Sequence, residues 1–461
     1  MIITYDKKTG DFRIFKGDNC VYESVRFVIY CDGHHVGGSM DETAVMAEQN
    51  DFGSLNKAFA GPFTFIAYNK IKKSVAIVQH LFGSGTNYYL YQTERAYYLS
   101  DSLKSFRRYE NFEYKLNDMM LPHYFYNRFL PGTHTLICGI RKLPPGFGMK
   151  ISKSGAELFS EPYPQLKNDL SEDEAANEYY RIIPEAIDRC IPDREEYSLA
   201  ISGGYDSNCI LHYIKQMNPE VNINAFCVGG TKGVDETAVS RSIAAQYSRV
   251  SFQCSFVEKH TRDKLDDIVR RLEGSVYERG IFLQYELAGM LSESGTDHII
   301  CGECADQVFN CNLFNKATAK TFFYNYEKNP YDMGAMVILK KNVLMLKSFG
   351  INGYYPFLDS AVIEFAGRIA HLNGTTKELH KKLCHSALTD SIGSKISKQG
   401  GSTSLSPMFD DGFDIVGEIH RSKFFDPDFM LLKTYNMDEA LKDYYLSLVC
   451  LESFEKQFCD R

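Results

Sequence analysis

The sequence predicts an α/β protein built in two unlike parts, and three observations point there. Roughly the first 110 of the 461 residues carry short β-branched and aromatic runs punctuated by turn residues. From about residue 197 strands alternate with helices, the pattern of parallel strands covered by helices on both faces. Hydrophobic residues make up 44% and charged residues 24% of the chain, which excludes disorder and leaves enough apolar material for sizeable cores. At about 150 residues per domain the length admits two or three domains.

In the first part, strands are predicted at residues 12–15, 25–31, 63–68, 74–79, 88–91 and 96–100. Turn residues such as Lys16-Gly17-Asp18-Asn19 and Gly83-Ser84-Gly85 separate them, and a helix is expected at 41–49. One more strand, 147–151, follows Leu143-Pro144-Pro145-Gly146. Residues 160–171 carry Pro162, Pro164 and polar residues without a period. The domain boundary is placed there, dividing residues 1–162 from 171–461. An acidic helix over 171–190 opens the second part, with Ser171 as its N-cap ahead of Glu172 and Glu174. A strand at 197–201 runs into a helix opening near Asp206, with Ile210, Leu211 and Ile214 on one face. Strands at 223–228, 250–257 and 298–301 and helices at 236–247 and 261–272 follow, and beyond Phe309 the pattern is mainly helical.

The longest apolar runs, such as 63–68 and 75–78, are far too short to span a bilayer, so no membrane partner is expected. Residues 1–8 lack the basic-then-apolar layout of a secretion signal, which makes a cytoplasmic location the expectation. The 51 basic and 59 acidic residues give a net charge of -8, which argues against a large nucleic-acid footprint. Thirteen cysteines, an odd number, read as reduced thiols packed as small apolar groups. There is no Trp, so aromatic packing falls to 30 Tyr and 32 Phe.

The informative segment is Leu199-Ala200-Ile201-Ser202-Gly203-Gly204-Tyr205-Asp206-Ser207. A buried strand ends in two glycines and a helix begins. Glycines let backbone approach a ligand with no Cβ in the way, and the N–H groups of a helix start attract anions. Asp206 stands where it would hold Mg²⁺ on a phosphate, with the hydroxyls of Ser202 and Ser207 beside it. A tight strand-to-helix turn with a capping Asp is the bland alternative. No Lys follows the glycines, so this is not the GxxxxGK[ST] phosphate loop.

The segment resembles the S-G-G-x-D-S pyrophosphate loop of the N-type ATP pyrophosphatases, and the rest of the chain narrows the likeness to the asparagine synthetase family. Ala60-Gly61-Pro62-Phe63-Thr64-Phe65 is similar to that family's G-x-F-x-F strand, and His80-Leu81-Phe82-Gly83 falls at its R-D-x-x-G turn. Tyr88-Tyr89, Leu99-Ser100-Asp101-Ser102-Leu103-Lys104 and Ile140-Arg141-Lys142-Leu143-Pro144-Pro145-Gly146 resemble its L-x-Y-Y, S-E-x-K and I-x-K-L-P-P-G segments. Later, Phe226-Cys227-Val228-Gly229 with Asp235-Glu236, the run Cys301-Gly302-Glu303-Cys304-Ala305-Asp306-Gln307-Val308-Phe309, and Tyr355-Pro356-Phe357-Leu358-Asp359 resemble its second strand, its S-G-E-G-x-D-E-x-F and its R-x-P-F-L-D. The resemblance implies an Ntn-like αββα sandwich followed by a doubly wound parallel-sheet ATP pyrophosphatase domain with helical additions. It also implies roles for residues. Ser202, Gly203, Gly204, Asp206 and Ser207 bind the phosphates of ATP, and Ile201, Val228, Cys301 and Gly302 line its adenosine. Asp206 and Asp306 hold Mg²⁺, and Glu303 lies near the reacting carboxylate. A late Lys assists acyl transfer; Lys398 is the candidate, with Lys395 the alternative.

The departures are as informative. The amidotransferase members carry a nucleophilic Cys directly after the initiator Met; here that position is Ile2, and a large residue there disfavours Met removal. His80-Leu81 replaces the Arg-Asp of the turn. These losses imply a first domain without glutaminase chemistry, similar to β-lactam synthetase, carbapenam synthetase and the lasso-peptide macrocyclases. Gln307 replaces a second acid, Cys304 and Asn310 replace glycines, and Tyr355 replaces an Arg, which implies a changed acceptor.

Cys301-Gly302-Glu303-Cys304 overlies this motif, and no second pair completes a zinc site, so redox or metal use is set aside. His34-His35, beside Gly37-Gly38, is expected in a surface loop, and the Tyr-rich stretches are expected in strands. The function implied is an ATP- and Mg²⁺-dependent synthetase that adenylates a substrate carboxylate and couples it to an amine on the same substrate. Glu303 orients or accepts a proton, and a loop covers the site. Ligation of a free amine or ammonia, adenylation of a tRNA base, and a scaffold with a dead site are the alternatives. A small-molecule or peptide substrate with carboxylate and amine is the partner, and a peptide would bring a leader-binding protein or protease.

Overall fold

The computed structural model describes residues 2–15, 21–83, 86–109, 112–127, 129–130, 132–160, 167, 169–230, 236–257, 261–274, 277, 279–309, 339–369, 372, 376–388 and 439–459. The first part holds strands β1 (Ile2–Asp6), β2 (Phe12–Phe15), β3 (Val21–Glu23), β4 (Phe27–His35), β5 (Phe59–Asn69), β6 (Ser74–Gln79), β7 (Tyr89–Gln92), β8 (Ala96–Ser100), β9 (Ile140–Lys142), β10 (Phe147–Ser152) and β11 (Gly155–Ser160). They form two sheets, of order β2-β1-β8-β7-β9 and β11-β10-β6-β5-β4-β3. Every pairing in both is antiparallel. Alternation turns Ile3, Tyr5, Leu90 and Leu99 of one sheet toward Ile66, Tyr68, Ile77 and Ile151 of the other, making a sandwich core. Helices Met40–Gln49 and Phe52–Ala58 cover the outer face of the larger sheet, burying Ala44, Ala47 and Leu55 against Phe63 and Phe65.

Strand β1 was not predicted, yet it lies inside its sheet: Ile3 pairs with Ile14 on one side and Leu99 on the other. The surface-loop expectation for His34-His35 is corrected. Both end β4, and both are half-buried. A bulge between Asp32 and His34 causes this. Gly33 lies at φ +143°, and a Cβ there would come within 2.6 Å of Phe63 Cβ. His34 Nδ1 then reaches the Cys190 carbonyl at 3.1 Å, and Asp32 reaches Lys347.

The second part carries one parallel sheet of β12 (Glu196–Ala200), β13 (Asn222–Gly229), β14 (Val250–Phe256), β15 (His298–Ile300) and β16 (Asn352–Tyr354), in the order β14-β13-β12-β15-β16. Strand order reverses between β12 and β15, which are in register at Leu199 and Ile300. Beyond Phe309 the described residues are mainly helical, as expected, and β16 is the exception, a strand of Asn-Gly-Tyr made by pairing with β15. The helix Gly280–Glu293 was also missed. Seven of its residues are buried, so it lacks the wide polar face that marks a surface helix. Ser171 does cap the helix Glu172–Cys190, in a capping box with Glu174, whereas most of the proposed boundary lies outside the described residues. One apolar core runs from Phe82, Tyr89, Leu103 and Phe106 of the first part into Ile182, Ile210 and Ile300 of the second. Among the described residues no helix is long and apolar enough to cross a membrane.

The Asp of the Tyr355–Asp359 motif is structural. Asp359 is fully buried and caps the helix Ser360–Arg368 by accepting the Ala361 N–H at 2.9 Å. Arg189 clamps it with Nε at 2.9 Å and with Nη2. Asp359→Asn removes the charge while keeping the shape. It is expected to destabilise the protein by about 2 kcal/mol, the ion pair being half-open on the arginine side. A urea unfolding midpoint equal to that of the wild type would contradict this role.

Candidate active site

Open parallel sheets bind ligands outside the carboxyl ends of their strands, at the point where strand order reverses. Here that point is the gap between β12 and β15, and the loops leaving these strands are 201–204 and 301–304. Ile201 follows β12 and is buried, its N–H donating to the Phe226 carbonyl at 2.9 Å. Val228 stands near the end of β13, and Cys301 and Gly302 follow β15. The topology thus brings the residues expected around the adenosine to one edge of one sheet.

The loop after β12 is held by its own side chains. The Ser202 N–H donates to Ser207 Oγ at 3.0 Å, and the two hydroxyls lie 3.2 Å apart. The Gly204 N–H donates to Ser202 Oγ at 3.2 Å. Asn208 Nδ2 donates to the Ser202 and Gly204 carbonyls at 2.9 and 2.6 Å. The Gly203 N–H donates to Glu236 Oε2 at 3.0 Å, so Glu236 belongs to this loop. Gly204 is the N-cap of the helix Tyr205–Met217 and offers no side-chain cap, leaving the helix start to whatever acceptor arrives. Its φ of -92° is open to any residue, so glycine serves here for room and not for conformation.

Gly302 closes the other wall. A Cβ on it would lie 3.1 Å from the Ser207 nitrogen and 3.3 Å from Asp206 Cβ. The two loops therefore meet backbone to backbone. Beyond Gly302, Cys304 adopts φ +70°. That left-handed conformation is the physical reason for glycine in the resembling motif, and a cysteine here carries a strain of about 1 kcal/mol. Burial raises the thiols of Cys301 and Cys304 well above their ordinary range.

Glu303 points into a network of neutral amides. Gln284 Nε2 and Asn342 Nδ2 each donate to Glu303 Oε1 at 3.2 Å, and Asn342 Nδ2 also lies 2.9 Å from Gln284 Oε1. Buried Tyr355 donates its hydroxyl to Asn342 Oδ1 at 2.6 Å. Burial raises the Glu303 pKa, partly offset by the charge of Lys341. Asp306 lies in the first turn of the short helix Ala305–Phe309. Asp206 Oδ1 lies 2.8 Å from Nε2 of the buried His380.

Among the described residues, no three His, Cys, Asp or Glu side chains converge as a metal cage. Two carboxylates, Asp206 and Asp306, each in the first turn of a helix that follows one of these loops, are hard oxygen donors. They fit Mg²⁺, which binds through one or two carboxylates with phosphates completing its shell. Lys395, Lys398 and Asp235 lie outside the described residues. Sequence reasoning missed His380, Gln284 and Asn342. His380 is 174 positions from its partner, and no local pattern marks such a pairing.

Comparison with known families agrees with the topology. Residues 6–163 match the model of the glutamine amidotransferase domain, and residues 178–328 match that of asparagine synthase. No curated protein sequence matches the chain. Similar solved structures include the U34-tRNA thiolase NcsA from Methanococcus maripaludis with its 4Fe-4S cluster, at 12% identity, covering 51% of this chain and 82% of that one, with a TM-score of 0.25. They also include the glutamine phosphoribosylpyrophosphate amidotransferase from B. subtilis complexed with ADP and GMP, at 9% identity, 77% and 76% coverage and a TM-score of 0.19. Neither likeness is close enough to bear on the reaction. Two family models thus divide the chain between them, the glutamine amidotransferase domain matching the first part and asparagine synthase matching the second.

Proposed function

We propose that the chain is an ATP- and Mg²⁺-dependent ligase that forms an amide bond within one substrate, a lactam or macrolactam. A substrate carboxylate attacks the α-phosphorus of ATP with release of pyrophosphate, and an amine of the same molecule then displaces AMP from the acyl carbon. The observation that carries this reading is the backbone contact of Gly302 with the Asp206–Ser207 helix start, which leaves a Cβ-free cradle at the switch point. Ser202, Gly203, Gly204 and Ser207 would seat the phosphates there, with Ile201, Val228 and Cys301 toward the base. Asp206 and Asp306 would hold Mg²⁺, which would offset the charge brought together when a carboxylate meets a polyanion. Glu303, its pKa raised by burial, would orient the amine and take its proton. Lys398, or Lys395, would stabilise the acyl oxyanion.

An intramolecular amine is favoured by the first domain. Ile2 occupies the nucleophile position and sits in β1, paired with Phe15 and Ser100. His80, at the turn where the resemblance places Arg, is buried, its Nδ1 accepting the Phe82 N–H at 3.1 Å. Burial lowers its pKa to about 3, so it carries no charge near neutral pH. On this reading Ile2 and His80 supply neither the nucleophile nor the cation that the resemblance places at these two positions. A free peptide or small amino acid derivative serves equally as substrate, and a peptide would be presented by a leader-binding protein or protease.

Two outcomes test this. With Mg-ATP and a panel of small acids and peptides bearing an internal amine, the right substrate is expected to release AMP and pyrophosphate and to lose the mass of one water. Asp206→Ala should cut this at least about 100-fold. Release of ADP would refute the adenylation step, and glutamate formed from glutamine would refute the silent first domain. The second outcome concerns Glu303. Its raised pKa means the folded protein retains a proton that the unfolded chain loses above its ordinary 4.5, so this site's contribution to stability falls as pH rises through the folded value. Glu303→Gln removes that titration. The variant should melt above the wild type at about pH 8 and lose the advantage at about pH 4. A difference in melting temperature that does not change with pH would contradict the buried carboxyl.

A further inference from the structure

We infer that His380 is a positioning residue that holds the Asp206 carboxylate in the orientation a metal-bound triphosphate needs. The inference rests on the reading of the Ser202–Ser207 loop as a nucleotide site. His380 lies on the helix Thr376–Ala387, remote in sequence from that loop, and is 1% exposed. Its Nε2 is 2.8 Å from Asp206 Oδ1. Its Nδ1 is 3.1 Å from the Tyr179 hydroxyl, which in turn lies 2.8 Å from Cys384 Sγ.

The proton arrangement follows from what each group can do. A carboxylate only accepts, so Nε2 carries the hydrogen. In the neutral imidazole Nδ1 is then the acceptor, and Tyr179 donates to it. The Tyr179 oxygen accepts from the Cys384 thiol. The relay from Cys384 through Tyr179 and His380 to Asp206 thus runs in one direction with a donor and an acceptor at every step. The second nitrogen of the imidazole is used to fix which tautomer faces the carboxylate, as in sites where an outer partner orients a metal ligand.

The ring itself is seated on the other side of the site. The His380 imidazole stacks on Phe309 with centroids 4.2 Å apart and planes 4° from parallel, and meets the edge of Phe357 at 5.5 Å. Phe309 ends the short helix that begins Ala305-Asp306. His380 therefore bonds one expected metal carboxylate and stacks against the helix that carries the other. An apolar residue of the same size would satisfy the packing against Phe309 and Phe357. Only a donor in that seat explains the hydrogen bond to Asp206.

The test uses the full-length protein and an ATP analogue with a methylene between the α and β phosphorus atoms, titrated calorimetrically with Mg²⁺ and with chelator. His380→Leu keeps the apolar seat and loses the donor. Its Mg²⁺-dependent affinity is expected to fall about 10-fold, with metal-free binding unchanged. His380→Gln presents an N–H₂ group at similar reach and should stay within about 3-fold of the wild type. Tyr179→Phe, which removes the group that fixes the tautomer, should show a loss of about 3-fold. Wild-type Mg²⁺ dependence in His380→Leu would overturn the inference, as would equal losses in His380→Leu and His380→Gln. If His380→Leu fails to fold, wild-type behaviour of Tyr179→Phe overturns it instead. A wild type that binds no analogue under either condition would remove the nucleotide-site reading itself, whereas normal Mg²⁺-dependent binding by every variant removes the role of His380 alone.

Discussion

The contact on which the rest of the site depends is the one between Gly302 and the start of the helix Tyr205–Met217. Two parallel strands in register, β12 and β15, end side by side, and each must hand its chain to the next element without colliding with the other. A side chain at 302 would stand 3.1 Å from the Ser207 nitrogen, a backbone atom that cannot rotate away. With glycine there, Asp206 and Glu303 are brought to one edge by backbone alone. The hydroxyls of Ser202 and Ser207 and the amide of Asn208 then bind the loop to itself. Rigidity of this kind places the donors before a substrate arrives, which is where a polar site gains most over water.

The first domain is tied structurally to the second. Phe82, Tyr89, Leu103 and Phe106 of the first part belong to the same apolar core as the second part. Polar ties cross the same seam. Glu273, at the end of the helix Arg262–Leu272, accepts the Leu103 N–H at 2.8 Å and the Ser102 hydroxyl. Lys347 is bound by Asp32 and by Thr86 at 2.7 Å. Removing the sandwich would expose that apolar surface and leave Glu273 and Lys347 without these partners, a larger loss than any single buried pair.

Local pattern made much of this legible. The strands at 12–15, 74–79 and 96–100 end where turn chemistry ends them, and the capping box at Ser171 announces its helix. The turn from strand to helix at Ser202-Gly203-Gly204 was readable because strand, glycines and acid lie within nine consecutive residues. What escaped was set by distant partners. Strand β16 is Asn-Gly-Tyr, with no β-branched residue, and exists because β15 pairs with it. The helix Gly280–Glu293 buries too much of its circumference to show a period. The bonds from His380 to Asp206 and from Asn342 to Glu303 join residues that only the closed fold brings together.

The replacement at 355 bears on how such a site would do its chemistry. The resembling motif carries an arginine there, and a permanent cation one hydrogen bond beyond Asn342 would hold Glu303 ionised and weakly basic. Tyr355 supplies the same reach with a neutral hydroxyl, so the Asn342 amide is oriented without added charge. Glu303 then faces two carboxamide donors, and burial outweighs the field of Lys341. A carboxylate raised in this way gives up its proton less readily and takes one from an amine more willingly, the property required of a base near neutral pH. The strained Cys304 beside it holds a left-handed conformation that glycine would adopt freely, and it is buried. Tyr355, acting through Asn342, and Cys304, next along the chain, are thus departures from the resembling motifs that lie beside Glu303.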